Sequence, residues 1–549
     1  MAEDKQIPSF SFKGIPKIMI PITDSDIRYS KDYGRKLIAK YMPLILSKHQ
    51  KNREKIQYCY EYALGQQDIY KKERLYNKDK KNNNRIVENH AFKHTRFKSA
   101  FITSQQRDYS HKIESDCDEI KCLHNYFSDV NFFSKDKNIK EWVYSTGIGV
   151  SYECHRTDIV KKTPDGKFEF VTEEDGFDYR KNAPFEFDDL DPKDNFVVYS
   201  SVRGNKPLFC ISLVAKEKPK ADGMIYTDSE FEYKLYIETR YARFTATCSS
   251  SFSDCKDLKR EVTKTYFSIP MKEHCSNKER LGLVELNREL FNCLNILVSN
   301  VLDMTVDGAN IILVFKNTDI SQSTIDDMSS KGAIILYDKQ DNKNNSEAKL
   351  ETVTIKIDYA GLNSFYEERL KQTYDIAGVP IATGETTSGG DTGQAKLLNN
   401  GWENAYMMAI NDVTTFVECD NEVLKGLLGI CKDIPDCPIK NLCASDIEIK
   451  YHINQSDNML SKAQAISTLY GIKMPKEEIL KATNLFGDVC SVSQKWEEHE
   501  RELEKKEKSK LVADNNVGNN GGDNNVGTKT DGQDTNVPTN DNKDNNSKE

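Results

Sequence analysis

The chain has 549 residues, of which 38% are apolar and 30% charged, so it is long enough for several domains with buried cores and polar surfaces. A net charge of -9 and a pI near 5.7 argue against a protein that grips nucleic acid in a basic groove. The start MAEDKQIPSF lacks the pattern of a secretion signal, and runs such as Ile311 to Phe315 are far shorter than the roughly 18 residues of a membrane span, so we expect neither secretion nor membrane insertion.

Fourteen cysteines without a secretion signal predict a reducing compartment, where thiols act mainly as small buried hydrophobes. Two groups have a loose likeness to metal-ligand clusters: Cys431, Cys437 and Cys443, and Cys117, Cys122 and His124. In the first group five residues separate neighbouring cysteines, whereas about two to four residues usually separate the cysteines of a zinc knuckle. We therefore expect no metal and no cofactor.

The first part of the chain, to about Lys140, has apolar residues at helical spacing, and Gly65 is placed to end a helix. From Glu141 to Pro270, short runs such as FVVYSSV and LFCISLVA alternate with turn residues and predict mainly antiparallel strands. The acidic stretch from Glu173 to Asp191 leaves two interpretations open. Its carboxylates could hold magnesium in a DNA-processing enzyme, but turn-rich sequence without partner His or Lys favours solvated hairpin loops.

The centre, from Glu279 to Thr305, predicts a packing helix about 40 Å long at 1.5 Å per residue. Its apolar stripe consists of Leu283, Leu286, Leu290, Leu294, Leu297 and Val301. The strand-like runs ANIILVFKN, GAIILYDK and LETVTIKID follow, and a second helix then runs from Gly361 to Gly378. This order predicts a helical hairpin that carries a small β excursion.

A loop rich in Gly, Thr and Ser, from Val379 to Gly393, leads into a further helix from Gln394. It lacks the Gly-Lys-Ser/Thr ending of a phosphate-binding loop and follows a helix rather than a strand, which argues against a nucleotide site. Near the C-terminus, Gln494 to Leu511 predicts a solvated helix rich in Glu and Lys. The stretch from Leu511 to Glu549 has no aromatic residue and repeats DNNVG, so we predict disorder there.

The order of several motifs resembles the portal proteins of tailed double-stranded DNA phages, especially the long-tailed siphophage branch. The segments that carry the resemblance are YALGQQDIY with the basic, Asn-rich stretch to Phe101, STGIGVSYE, DPKDNFVVYS, SIPMKEHCSNKERLGLVELNREL, YDIAGVPIATGETTSGGDTGQAKLL and Ile447 to Glu502. None is specific alone, but their colinear order from about Tyr60 to Glu504 is typical of the family.

The resemblance implies an α+β, portal-type subunit in a ring oligomer, with a helical and β wing, a helical stem, a small β-containing clip, a long channel-side helix and a helical crown. The implied segments are the wing (1–270), the stem entry and first stem helix (271–305), the clip (306–360), the second stem helix (361–378), the tunnel loop (379–393), the channel-side helix with a returning wing strand (394–458), the crown (459–510) and the disordered tail (511–549). The apolar stripe would then stabilise the oligomer at the stem.

The resemblance also implies a non-enzymatic ring, as a rule a dodecamer, at the capsid vertex of a virion, assembled in the host cytoplasm. Its implied partners are double-stranded DNA in transit, the terminase large subunit, the major capsid and scaffolding proteins and a head-tail adaptor, with no membrane. The implied DNA-facing residues are Thr383, Thr386, Thr387, Ser388, Gly389, Gly390, Asp391 and Lys396. Hydroxyls without fixed positive charge would meet passing phosphates weakly, and an acidic channel wall would keep the duplex sliding.

Overall fold

The computed structural model of the protein describes residues 14–71, 83–113, 117–163, 165, 168–202, 204–216, 232–249, 255–263, 267–308, 312–316, 349–353, 358–381, 401–453, 459–483 and 489–517. The chain divides into two compact units, one that ends at Asp488 and one that begins at Val489. Helices and strands alternate through the larger unit, which confirms the predicted α+β class.

The helices are α1 (Asp24–Tyr29), α2 (Arg35–Ala63), α3 (His90–Thr103), α4 (Asp118–Asp129), α5 (Phe132–Thr146), α6 (Leu283–Gly308), α7 (Tyr359–Ala377), α8 (Trp402–Lys432), α9 (Met459–Gly471), α10 (Lys476–Thr483) and α11 (Val489–Val517). The strands are β1 (Ile18–Ile20), β2 (Asp108–His111), β3 (Gly149–His155), β4 (Val160–Lys162), β5 (Phe168–Phe170), β6 (Phe185–Leu190), β7 (Asn195–Ser200), β8 (Pro207–Lys216), β9 (Glu232–Thr239), β10 (Ala242–Ser249), β11 (Cys255–Thr263), β12 (Met271–His274), β13 (Ile312–Lys316), β14 (Lys349–Val353) and β15 (Ile447–Lys450).

The largest sheet has the strand order β1-β7-β8-β9-β10-β11. Alternate residues of β10 are buried, which is the two-residue period of a sheet with one face on the core. Helix α2 covers that face, and its His49 ring stacks on Phe196 with ring centroids 3.7 Å apart. The four pairings from β7 to β11 are antiparallel as predicted, but β1 pairs with β7 in parallel. Sequence reasoning missed this pairing because β1 is three residues long and its partner lies far along the chain.

A second sheet, β12-β3-β6, packs against α5 and the C-terminal half of α8. The apolar cluster beside it is rich in aromatic side chains, among them Phe127 and Phe132, whose rings stack with centroids 4.4 Å apart. Val423, Leu424 and Leu427 of α8 belong to the same cluster. The long helix is therefore held by the sheet region at its C-terminal half.

Helices α6 and α7 pack against each other and flank the antiparallel pair β13–β14, as the predicted hairpin requires. Helix α6 begins at Leu283, not at the predicted Glu279, because Asn277 caps the preceding turn by accepting from the Leu281 N–H. It continues to Gly308, beyond the predicted Thr305. The predicted strand GAIILYDK lies outside the described residues.

Helix α7 ends at Ala377, where Gly378 takes a left-handed conformation with φ +61° that favours glycine. Helix α11 runs to Val517, so the helical part of the C-terminal region continues past the predicted boundary at Lys510. Pairs of Glu and Lys side chains at helical spacing, rather than an apolar stripe, stabilise that helix. The rest of the predicted tail lies outside the described residues.

Candidate functional site

A groove opens where the start of α6, the end of α7 and the first turns of α8 meet. It encloses about 330 Å³. We name it the α6–α8 groove and define it by its lining residues, which are Lys98, Tyr144, Ser276, Asn277, Leu281, Leu283, Leu286, Ile376, Ala377, Met407, Met408, Asn411 and Asp412. The groove adjoins the point where the chain leaves α7.

The floor of the groove is polar and internally paired. Lys98 Nζ lies 3.1 Å from Asp412 Oδ2, and Tyr144 donates its hydroxyl to the same carboxylate at 3.0 Å. Burial raises the pKa of Asp412, against the opposing effect of the Lys98 ammonium, and it also raises the pKa of Tyr144. Because these charges already satisfy each other, the floor offers no free ion to a ligand.

The rim of the groove is apolar and exposed. Leu286 is 45% exposed, Ile376 45% and Met407 61%, and Met408 lies beside them. Large apolar side chains clustered at one place on a surface mark a contact site more often than a random scatter does. Methionine adds adaptability, since its unbranched thioether can fit an irregular partner.

Gly378 fixes the exit of α7 against α8. A Cβ at this position would lie 2.0 Å from the Met408 sulfur, and φ is already in the left-handed region. The Gly378 N–H donates to Asp375 and the Val379 N–H to Tyr374, which closes the last turn. The loop that follows therefore starts from a rigid point beside the groove.

The opposite face of α6 is buried and polar. Asn295 Oδ1 accepts from the Glu88 N–H at 3.2 Å, Ser299 Oγ from the Ile86 N–H at 3.0 Å and Asp303 Oδ1 from the Asn84 N–H at 3.0 Å. We name this row the α6 polar ladder. It holds residues 84–88 along the helix through main-chain bonds that a leucine could not supply. Sequence reasoning singled out the leucines and missed the ladder, whose only signal is Asn, Ser and Asp at steps of about four residues.

A buried ion cluster anchors the middle of α8. Arg107 Nη2 lies 2.9 Å from Asp136 Oδ2 and also pairs with Asp420, while Lys140 Nζ is 3.5 Å from each carboxylate. Two cations thus balance two anions. Burial alone would raise the pKa of Asp420, but Arg107 and Lys140 lower it to about 2. Removing one partner would leave an uncompensated buried charge, so the cluster fixes α8 relative to α5.

The six predicted stem residues differ in how far they are buried within the subunit. Leu283 and Leu294 are buried within the subunit, Leu290, Leu297 and Val301 are half-buried, and Leu286 is exposed. Ile296, Leu302 and Met304 add further exposed apolar surface on the same helix. The stripe is thus incompletely covered by its own chain.

The eight predicted DNA-facing residues, Thr383, Thr386, Thr387, Ser388, Gly389, Gly390, Asp391 and Lys396, lie outside the described residues. The described parts of α7 and α8 bracket that segment. The end of α7 and the first turns of α8 meet at the α6–α8 groove, since Ala377 and Met407 both line it.

The acidic stretch from Glu173 to Asp191 has separate partners rather than one shared centre. Asp175 pairs with Lys161, Asp188 Oδ1 lies 2.9 Å from Lys135 Nζ, and Asp189 accepts from Asn138 at 2.9 Å. Hydrogen bonding to Lys161 and Thr172 lowers the pKa of Asp175 to about 2. The predicted solvated hairpin loops are wrong for residues 185–190, because Asp188 and Asp189 lie on β6, which pairs with β3.

The members of the two loose cysteine groups do not lie together in the fold. Cys431 and Cys437 share an apolar cluster with Cys122, whereas Cys443 is exposed and Cys117 hydrogen-bonds to Glu119. His124 bonds the Tyr109 carbonyl oxygen. Within the part of the chain that the structure describes, no three His, Cys, Asp or Glu side chains are grouped to hold a metal.

Among the described helices, none combines the length and the apolar character that crossing a bilayer requires. A family model described as "Phage portal protein, SPP1 Gp6-like" matches residues 44–506, and no curated protein matches the chain. Because the matched segment covers most of the sequence, the chain belongs to the phage portal protein family, as the resemblance predicts. Membership implies a ring oligomer of the phage capsid, in a family of structural proteins.

Proposed function

We propose that this chain is the subunit of a dodecameric ring at one capsid vertex, through which double-stranded viral DNA enters during packaging and leaves during ejection. The family match is the observation that carries the proposal. The net charge of -9 supports it, because an acidic conduit repels phosphate and lets a duplex slide.

The α6–α8 groove is the proposed contact with a second copy of the chain. A closed ring needs two different surfaces on each subunit, one on each side. The groove supplies an apolar concave surface with a neutral, paired floor, and the exposed stripe of α6 around Ile296 and Leu302 supplies apolar surface elsewhere. Burying both would remove apolar side chains from water at roughly 25 cal/mol per Å².

The segments keep the roles that the resemblance implies. In this proposal α6 and α7 form the stem, β13 and β14 belong to the clip, α8 lies beside the channel, and α9 and α10 belong to the crown. The segment 379–393 is the tunnel loop. Its closeness to the groove would place the loop beside a subunit contact, so that the neighbouring copy limits its position.

The proposed partners are those that the resemblance to the portal family implies. The clip, at the far end of the α6–α7 hairpin, would receive the terminase large subunit during packaging and a head-tail adaptor afterwards. The wing, with its six-stranded sheet, would face the major capsid and scaffolding proteins. Assembly would take place in the host cytoplasm, before the ring becomes part of the virion.

The interface can be tested with charge substitutions on the groove rim. Leu286→Asp and Met407→Asp place a carboxylate on side chains that are exposed in the single subunit, so each subunit should fold normally. In a ring, either carboxylate would be buried without a partner, at a cost of several kcal/mol. We expect electron microscopy and light scattering to show rings with a central hole for the wild type and mainly single subunits for both variants.

Ile113→Asp is the matched control, because Ile113 is 86% exposed and lies away from the groove. This variant should form normal rings. Normal rings from Leu286→Asp and Met407→Asp would place the subunit contact elsewhere, and single subunits from the wild type would argue against the ring itself.

A further inference from the structure

Two cysteines face each other across the last two strands of the six-stranded sheet. Cys248, near the end of β10, lies directly opposite Cys255, the first residue of β11, in the antiparallel pairing of these strands. Residues directly opposite each other on antiparallel strands point to the same face of the sheet. Both side chains accordingly pack in the apolar cluster that the sheet shares with α2.

The strand pairing brings the two thiols close to the geometry of a disulfide. Opposite Cα atoms of antiparallel strands lie about 4.5–5.5 Å apart, and a disulfide usually joins Cα atoms about 4.4–6.8 Å apart. The Cβ atoms of such a pair lie about 4.5–5.5 Å apart, whereas a disulfide needs about 3.5–4.5 Å. An approach of roughly 1 Å is therefore enough. The pair ends the ladder between β10 and β11, and strand ends open most easily.

We propose that Cys248 and Cys255 form an oxidisable dithiol site, which a small-molecule disulfide converts into a cross-strand disulfide bond that locks β11 to β10. The site requires only one subunit. Its success or failure is therefore independent of the proposed ring.

Exposure gives the two thiols different roles. Cys255 is half-buried, whereas Cys248 is only 2% exposed. A dissolved reagent therefore reaches Cys255 first, and Cys248 reacts with the sulfur that is then attached to Cys255. Burial raises the pKa of the Cys255 thiol, so its thiolate is scarce at neutral pH and the exchange should become faster as the pH rises.

The exchange balances with bis(2-hydroxyethyl) disulfide as the only co-reactant. The Cys255 thiolate attacks one sulfur of this reagent, forms a mixed disulfide and releases one 2-mercaptoethanol thiolate. Cys248 then gives its proton to that leaving thiolate or to water. Its own thiolate attacks the Cys255 sulfur and releases the second 2-mercaptoethanol, so that two protein thiols are oxidised as one reagent disulfide is reduced.

The new bond would secure an edge of the sheet. Strand β11 is the last in the strand order, so within the described residues β10 is its one neighbour in the sheet. An edge strand is the place where a sheet opens or pairs with another chain. The disulfide would hold the start of β11 covalently against β10. Subunits made in a reducing cell would acquire this bond on exposure to an oxidising medium.

The test uses the full-length wild-type protein, reduced and then incubated with bis(2-hydroxyethyl) disulfide at about pH 8.5. Remaining thiols are alkylated after denaturation, and the protein is digested with trypsin. Trypsin cleaves after Arg243 and Lys256, so both cysteines fall in one peptide, FTATCSSSFSDCK. We expect mass spectrometry to show this peptide without alkyl groups and two hydrogen atoms lighter than its dithiol form, and a reductant to restore both thiols.

Hydrogen exchange supplies a second measurement. The main-chain amides of β11 should exchange severalfold more slowly in the oxidised wild type than in the reduced protein, because the bond opposes opening of the sheet edge. The rate of disulfide formation should increase between about pH 8 and pH 9, where the Cys255 thiolate becomes more abundant.

Two variants sharpen the result. Cys248→Ala keeps a small apolar side chain in the cluster and should stop at the mixed disulfide on Cys255, with no change in the exchange of β11. Cys443→Ser removes an exposed thiol elsewhere and should behave as the wild type does. Alkylation of both Cys248 and Cys255 in wild-type protein whose Cys443 has reacted with the reagent would overturn the proposal. A disulfide that joins either cysteine to another peptide would overturn it as well.

Discussion

His94 shows how one buried side chain can set the acid tolerance of this subunit. Its ring is fully buried between α3, α6 and α7, with the Tyr374 ring centroid 4.6 Å away and the Phe291 centroid 5.5 Å away. Neither ring nitrogen has a hydrogen-bond partner among the described residues. Burial, assisted by His90 and Lys93, lowers the pKa of His94 to about 3.

This environment predicts a pH-dependent gain in stability for His94→Phe. The unfolded chain binds a proton at His94 below about pH 6.5, whereas the folded chain does so only near pH 3, so the wild type loses stability as the pH falls between these values. At pH 5 the loss amounts to about 2 kcal/mol, at 1.36 kcal/mol per pH unit. Phenylalanine keeps the aromatic contacts and cannot bind that proton. Chemical denaturation should therefore show that the free energy of unfolding of the variant, relative to the wild type, is about 2 kcal/mol higher at about pH 5 than at about pH 8.

His499→Phe is the control for that measurement, because His499 is exposed on α11. It should change stability equally at both pH values. An equal change for His94→Phe would mean that acid destabilisation originates at other groups, such as the buried His49, whose pKa burial also lowers to about 3.

At the scale of elements, α6 shows what the sequence could and could not predict. Leucines at three- and four-residue steps predicted the helix and its length, because amphipathic periodicity is a local signal. They did not predict which face packs inside the subunit. The buried face includes the α6 polar ladder, whose partners lie more than 200 residues earlier in the chain, and no local pattern records such a pairing. The α6–α8 groove was missed for the same reason.

The α6 polar ladder should tolerate apolar substitution poorly. Asn295→Leu keeps a similar size but removes the acceptor for the Glu88 N–H and the donor to Gln67. Each buried polar group left without a partner costs about 1–3 kcal/mol. We therefore expect a loss of several kcal/mol in the free energy of unfolding, measured by chemical denaturation, and faster hydrogen exchange in residues 84–88.

Asn363→Leu is the matched control on α7, where the amide is exposed and its hydrogen bond to Glu367 can be replaced by water. Its effect should stay within about 0.5 kcal/mol. Equal effects of the two substitutions would show that the ladder contributes no more than an exposed hydrogen bond does.

At the scale of the whole molecule, the end of the chain should be dispensable for assembly. Residues 518–549 contain no aromatic residue, and their few apolar side chains, such as Val526 and Val537, cannot bury enough area to offset the entropy of ordering. A chain that stops after Val517 keeps the whole of α11. We expect it to assemble as the full-length chain does in electron microscopy; loss of the rings would show that the tail folds against another part of the particle.

The loop between α7 and α8 should govern DNA retention rather than ring formation. The segment 379–393 contains four glycines, and its charged residues are Glu385 and Asp391, so it can shape a bore but cannot bind phosphate tightly. Deleting Thr386 to Gly390 shortens it without touching Gly378, Met408 or the groove, so rings should form normally. Particles built with this deletion should contain less DNA, as measured by nuclease-protected DNA per particle.

Replacing Thr386, Thr387 and Ser388 by alanine removes the hydroxyl groups but keeps the length of the loop. This variant distinguishes the effect of loop length from that of the hydroxyl groups, and it should reduce DNA retention less than the deletion does. Full DNA content in deletion particles with normal rings would place the DNA-facing surface on another segment, of which the first turns of α8 would be the next to test.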